Sequence, residues 1–178
     1  MLYKWYHYQN LYSAEECKRL LELSQQLNSN QHKDIPGSGK NVDVSVVPLE
    51  PLRVDLSKML NFVTQVNEEF FGFDLFSSPK SVNINRYNEA YKEYPWHADN
   101  SVLGSTADTK LTAVLNISNQ EYVGGAFEMF VGETVEMKEL STVGSLLIFP
   151  SYMYHRVTPV TSGERLTLSC WFKGPNWK

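Results

Sequence analysis

The sequence predicts a mainly β (α+β) fold, a jelly roll or double-stranded β-helix with N-terminal helices packed on one sheet. Three observations carry that reading. Apolar residues recur at helical spacing only ahead of Gly72. From about residue 80 the pattern changes to short alternating stretches divided by turn residues. The length, 178 residues, lies within the usual size of one domain, so residues 1–178 read as a single unit.

Taken in order, Ser13-Ala14-Glu15-Glu16 has the form of a capping box, and Tyr12 and Cys17 stand where a hydrophobic staple places its two residues. A helix starts there. Cys17, Leu20, Leu21 and Leu27 carry it to about Asn28 with one buried face. Residues 29 to 50 lose periodicity around Pro36, Gly37, Ser38 and Gly39 and read as a loop excursion with a short strand at 42 to 47. Long loops of this kind often carry function. A second helix is marked by Leu56, Met59, Leu60, Val63 and Phe70, with Gly72 to end it. Candidate strands follow at 81–87, 95–99, 111–118, 126–130, 133–137, 145–149, 153–158 and 165–172, with Gly124-Gly125 and Ser162-Gly163 as turns. Such strands without long helices between them suit a jelly roll whose outer face the two helices cover.

Composition excludes several classes. Hydrophobic residues at 42% and charged residues at 20% are ordinary for a soluble globular protein, which argues against disorder. A net charge of −4, without blocks of like charge, gives no electrostatic basis for tight binding to nucleic acid or to a membrane. No apolar run is long enough for a membrane span, and Met1-Leu2-Tyr3-Lys4-Trp5 lacks the form of a secretory leader, so a cytoplasmic protein is expected. Cys17 and Cys170 lie far apart and in no CxxC pair, which points to two buried free thiols.

The chemistry starts from Trp96-His97-Ala98-Asp99. Residues two apart on an extended backbone point to one side, so an imidazole and a carboxylate can share a metal. Four His and six Asp in 178 residues give such a pair by chance roughly 0.13 times, so the pair alone is weak evidence beside the reading of a surface His near an Asp. His155, in Tyr154-His155-Arg156-Val157 after the apolar Leu146-Leu147-Ile148-Phe149, is the third candidate. Two His and one carboxylate on one face of a metal leave open positions, the arrangement of oxygen-activating ferrous sites.

Arg165 opens Arg165-Leu166-Thr167-Leu168-Ser169-Cys170-Trp171-Phe172. Leu166, Leu168, Cys170 and Phe172 form a face suited to a core, and Arg165, Thr167, Ser169 and Trp171 form the other. Turned inward, the guanidinium requires an anion and suits a carboxylate. Placed at a strand end, it reaches solvent instead. Spacing leaves both open.

These residues together resemble the prolyl 4-hydroxylase type of Fe(II)- and 2-oxoglutarate-dependent dioxygenase over most of the chain. The likeness is carried by Tyr87, the His97-x-Asp99 pair, Gly124-Gly125 before Ala126-Phe127-Glu128-Met129-Phe130, Gly144-Ser145-Leu146, His155, Arg165 and the opening Tyr-Ser-Ala-Glu-Glu-Cys helix. The resemblance implies that His97, Asp99 and His155 bind Fe(II), that Arg165 holds the distal carboxylate of 2-oxoglutarate, and that Tyr87 hydrogen-bonds this cosubstrate. Asn116 and Ser169 stand where relatives place polar contacts to it. The resemblance also implies dioxygen as second substrate, ascorbate as a reductant, release of succinate and CO2, and a C–H bond as the target. A prolyl residue in a peptide or protein is the first substrate expected, and a free amino acid or other small molecule the alternative. Tyr91, Tyr94, Trp96, Tyr152 and Tyr154 either line a groove for an extended peptide or are ordinary edge aromatics.

The segment Asn41-Val42-Asp43-Val44-Ser45 departs from the pattern, because relatives acting on peptides often carry Arg where Asp43 stands. The reversed charge leaves the iron and cosubstrate assignments untouched but counts against a collagen-like or other prolyl substrate. Asp99 itself separates the chain from related halogenases, which lack that carboxylate. Two other classes compete: a zinc hydrolase, which leaves Arg165 and Tyr87 without a role, and a non-catalytic jelly-roll binding module.

Overall fold

The computed structural model describes residues 5–27, 30–32, 41–76, 79–90, 92–100 and 106–177. In chain order the elements are β1 (Tyr6–Tyr8), α1 (Ala14–Gln26), β2 (Asn30–His32), β3 (Asp43–Pro48), α2 (Ser57–Val66), β4 (Ser81–Tyr87), β5 (Tyr94–His97), β6 (Thr109–Asn116), β7 (Tyr122–Gly124), β8 (Phe127–Phe130), β9 (Thr134–Glu136), β10 (Leu146–Pro150), β11 (His155–Val157), β12 (Val160–Gly163) and β13 (Arg165–Lys173).

The first helix begins as its sequence dictates. Ser13 Oγ accepts from the Glu16 N–H at 3.2 Å, and the Glu16 carboxylate accepts from the Ser13 N–H at 2.9 Å, a closed capping box. Tyr12 and Cys17 are both 1% exposed in one cluster, as a staple requires. The helix stops at Gln26, short of the expected Asn28, because Leu27 turns to an extended conformation. The second helix passes into one π turn at Asn67–Phe71, and Gly72 ends it at φ +69°, donating its N–H to the Asn67 carbonyl.

The strands form a seven-stranded sheet in the order β1-β10-β6-β13-β4-β3-β2, a four-stranded sheet β5-β11-β8-β9, and a ribbon β12-β7. Every described pairing is antiparallel. This is the jelly roll, and every expected strand is present with ends shifted by at most two residues. β1, β2, β7 and β12 were not expected. Each is too short to show a period of two, and β7 and β12 exist because they pair with each other across the chain. The Gly124 and Ser162-Gly163 positions, expected as turns, therefore lie in that ribbon. The expected strand at 42–47 is β3, while Pro36 to Gly39 lie outside the described residues.

Two apolar layers result. One packs Leu20, Leu52, Met59 and Val63 from the helical side against Ile84, Leu115, Ile148, Leu166, Leu168 and Cys170 of the large sheet. The helices thus cover one outer face, as expected. The second lies between the sheets and holds Val114, Phe127, Met129, Phe149 and Val157. Cys17 and Cys170 are buried free thiols, pushed up by burial to about 11 and about 12. Among the described residues no helix is long and apolar enough to cross a membrane.

Candidate active site

The ladder that pairs β11 with β5 sets His155 directly opposite His97, so both imidazoles leave the small sheet on its inner side. The ring centroids are 4.1 Å apart. Asp99 follows β5, its backbone N–H donating to the Ser151 carbonyl at 2.9 Å, and its carboxylate reaches between the rings. His97 Nε2 lies 3.6 Å from one carboxylate oxygen and His155 Nε2 lies 3.6 Å from the other. These gaps exceed hydrogen-bond length but suit three ligands of one ion, each bond being about 2 Å. The three ligand atoms all lie within 4.8 Å of one another.

The surroundings fix the chemical form of each ligand. His97 Nδ1 lies 2.8 Å from the Pro95 carbonyl oxygen, and His155 Nδ1 lies 2.9 Å from that of Met153. A carbonyl only accepts, so each Nδ1 carries the proton and each Nε2 presents a lone pair to the centre. Burial, the largest influence on His155, holds its pKa below the usual imidazole value and keeps the ring neutral. Burial alone would raise Asp99, but the His97 imidazole beside it, the attraction of either histidine in its protonated form and the Thr112 hydroxyl outweigh that and bring it to about 2. Thr112 Oγ1 donates to Asp99 at 2.7 Å and lies 2.9 Å from Ser151 Oγ. Phe127 stacks on His155 and Tyr94 lies against His97, closing the rings against movement.

A cavity of about 410 Å³ opens over this cluster. It reaches Arg165, which is 1% exposed and whose Nη1 is buried without a hydrogen-bond partner among the described residues. The solvent-reaching alternative for Arg165 is thus overturned: strand alternation on β13 turns it inward with Thr167, Ser169 and Trp171. Tyr87, 3% exposed, faces Arg165 across the β13–β4 ladder, with the guanidinium 5.3 Å from its ring. Burial raises the Tyr87 pKa, so the hydroxyl stays protonated and can donate. Ser169 also lines the cavity.

Two expectations need correction. Asn116 does not line the cavity. Its amide group donates to the Leu140 and Ser141 carbonyls at 2.9 Å each, and its oxygen accepts from the Ser118 N–H, so this fully buried side chain clamps a neighbouring turn. Asp43 also lies away from it. Val42, Val44 and Val46 face the cavity, and alternation turns Asp43 to the other side of β3, so the reversed charge does not reach the site. Of the tyrosines, Tyr94 lines the cavity, Tyr152 and Tyr154 are exposed at 48% and 52%, and Tyr91 lies outside the described residues.

Thr112, Asn83 and Asn85 were not singled out from the sequence. The signal was present in Ser81-Val82-Asn83-Ile84-Asn85-Arg86-Tyr87, where two amides share the Tyr87 face of a buried strand, and in the single hydroxyl of Lys110-Leu111-Thr112-Ala113-Val114.

The donor set of two neutral imidazoles and a carboxylate suits a ferrous ion with open positions, and the partnerless Arg165 nitrogen suits a carboxylate at the far end of the same cavity. Comparison with known proteins agrees with this chemistry. The family model described as the 2OG-Fe(II) oxygenase superfamily matches residues 82–173, and the chain belongs to that superfamily as a 2-oxoglutarate-dependent dioxygenase. A PKHD-type hydroxylase of Shewanella sp. (strain ANA-3) is 26% identical over 172 residues, covering 92% of this chain and 75% of that protein. A PKHD-type hydroxylase of Nitrosomonas europaea is 32% identical over 124 residues, or 66% of this chain and 54% of its own length. The fold is shared with a Pseudomonas putida prolyl-4-hydroxylase at a TM-score of 0.73 and 20% identity, covering 97% of this chain and 94% of that one. It is also shared with a Trichoplax adhaerens prolyl hydroxylase in complex with a hypoxia inducible factor peptide, at 0.74 and 13%, covering 96% and 83%.

Proposed function

We propose that the chain acts as one catalytic unit that hydroxylates a C–H bond, with a prolyl residue of a peptide or protein as its substrate and succinate and CO2 as co-products. His97, Asp99 and His155 hold Fe(II), while Arg165 and the Tyr87 hydroxyl hold the distal carboxylate of 2-oxoglutarate. Bound iron and cosubstrate supply the oxidising power that places one oxygen atom of dioxygen on carbon. The protein's own groups do the rest. The Pro95 and Met153 carbonyls keep both imidazoles in the metal-binding tautomer. Thr112 turns the Asp99 carboxylate toward the rings. Val114, Phe127 and Val157 give the cavity apolar walls that exclude water from the reacting carbon. No side chain needs to move a proton from substrate.

The observation that carries this reading is the buried nitrogen of Arg165, without a partner among the described residues, on a side chain that lines the same cavity as the three ligands. A zinc hydrolase would give that charge no function. The hydroxylase names of the Shewanella and Nitrosomonas relatives and the peptide held by the Trichoplax protein support a peptide substrate. The test is anaerobic loading with Fe(II) and 2-oxoglutarate, then addition of oxygen and proline-containing peptides. Succinate release matched by a mass gain of one oxygen on the peptide is expected. Oxygen-independent hydrolysis of a substrate would overturn the assignment, and hydroxylation of a free amino acid alone would move it to small molecules. Ascorbate is proposed only as a reductant, read as a longer linear phase of turnover.

A further inference from the structure

The cavity is wider than the line from the three ligands to Arg165. Thr112, which holds Asp99, stands opposite Trp171 on the β6–β13 ladder, and Ser169 stands opposite Asn83 on β4. Val46 is the partner of Asn83 on β3, and Val44 that of Asn85. A side wing is thereby bounded by Val44, Val46, Asn83 and Trp171, all of which face the cavity. Its two amides differ. Asn85 donates to Ser169 Oγ at 2.9 Å and to Thr167 Oγ1 at 3.4 Å, and so is committed to β13. Asn83 is half-buried and has no hydrogen-bond partner among the described residues.

We propose that Asn83 determines substrate specificity by gripping the backbone N–H and C=O of one extended residue beside the reacting one, so that the wing takes a residue held within a peptide. The inference rests on the peptide reading above and names the residue that enforces it. A side-chain amide presents a donor and an acceptor side by side. In an extended chain the N–H and C=O of one residue point to the same side, the pairing used in antiparallel ladders. The gripped residue is a neighbour of the target, since proline has no N–H.

Charge points the same way. Among the described residues facing the cavity, the titrating groups are the His97–Asp99–His155 cluster and Arg165, each already assigned a partner, and the Tyr87 and Tyr94 hydroxyls, which burial keeps protonated and uncharged. A free amino acid would bring an ammonium and a second carboxylate into a wing of two valines, an amide and an indole, where neither finds an opposite charge. A peptide-embedded residue brings only neutral amides.

The test uses calorimetric titration of the protein loaded with Mn(II) and 2-oxoglutarate under nitrogen, so that no turnover is needed. The probes are N-acetyl-alanyl-prolyl-alaninamide, the same compound with the prolyl–alanyl amide replaced by an ester, and free L-proline. The blocked peptide should bind saturably, and L-proline at least about tenfold more weakly. The ester, which lacks the N–H, should lose about tenfold against the wild type. Asn83→Leu should bind the amide about tenfold more weakly and should not distinguish it from the ester, a double-mutant coupling that a merely structural role would not produce. Asn83→Ser, which changes the strand less, should behave alike, and the 2-oxoglutarate dissociation constant should be the same in all three proteins. L-proline binding as tightly as the blocked peptide overturns the inference, as does absence of saturable peptide binding or an equal amide–ester difference in wild type and both variants. Failure of the wild type to bind 2-oxoglutarate would instead overturn the oxygenase reading on which it rests.

Discussion

Thr112 shows how one hydroxyl can tune a metal centre it never touches. It donates to Asp99 at 2.7 Å and is itself braced by Ser151, so the carboxylate is aimed before any ion arrives. Thr112→Val keeps the shape and removes the bond, and should weaken Mn(II) or Fe(II) binding by roughly ten- to 100-fold, read by titration under nitrogen. Unchanged affinity would show that Asp99 is held by the histidines alone. Arg165 poses the opposite question, a buried donor that has no acceptor among the described residues. Arg165→Ala should weaken 2-oxoglutarate binding by about ten- to 150-fold, the equivalent of about 1.5–3 kcal/mol for a charged hydrogen bond. An unaltered dissociation constant would remove the cosubstrate from this end of the cavity. His97 and Asp99 were visible in the sequence through their spacing of two, and Arg165 through the alternation of the segment it opens. Asn116 misled, because a buried amide on a strand looks the same whether it faces a ligand or caps a turn.

At the scale of elements, the β7–β8 turn presses against β13. Gly125 has φ +64°, and a Cβ there would lie 2.8 Å from both Arg165 Cδ and Val160 Cγ2. Gly125→Ala should therefore push the Arg165 stem while straining the turn. The expected result is a raised KM for 2-oxoglutarate and a loss of stability of about 1 kcal/mol or more, measured by denaturant unfolding. A stability loss without a change in KM would show that the guanidinium accommodates the methyl. The strands that place the ligands were legible from alternation: β13 separates Leu166, Leu168 and Cys170 from Arg165, Thr167 and Ser169 in one run. β7 and β12 were not, since three or four residues cannot display a period and their pairing is a tertiary event.

Across the whole molecule, the groups of the candidate site come from both sides of the jelly roll's interior. His97 and His155 stand on the small sheet, and Thr112, Tyr87 and Arg165 on the large one. A metal bound there would link β5 and the segment after it to β11, so its occupancy should appear as folding stability. Ion at about 100 times its dissociation constant should add about 2.7 kcal/mol, and a chelator should lower Tm by several degrees, followed by calorimetry with and without Mn(II). A Tm indifferent to the ion would mean that the described triad does not hold it. The order of the chain by itself determined the fold class, both helices, the strands that carry the site and the candidacy of His97, Asp99 and His155, because periodicity and residue type are local properties. Only the tertiary structure decided that Arg165 is buried, that Asp43 faces away, that Asn116 is spent on a turn and that Asn83, in a side wing, has no partner among the described residues. Those facts depend on which strands become neighbours, and strand pairing is set by the closing of two sheets around a common interior.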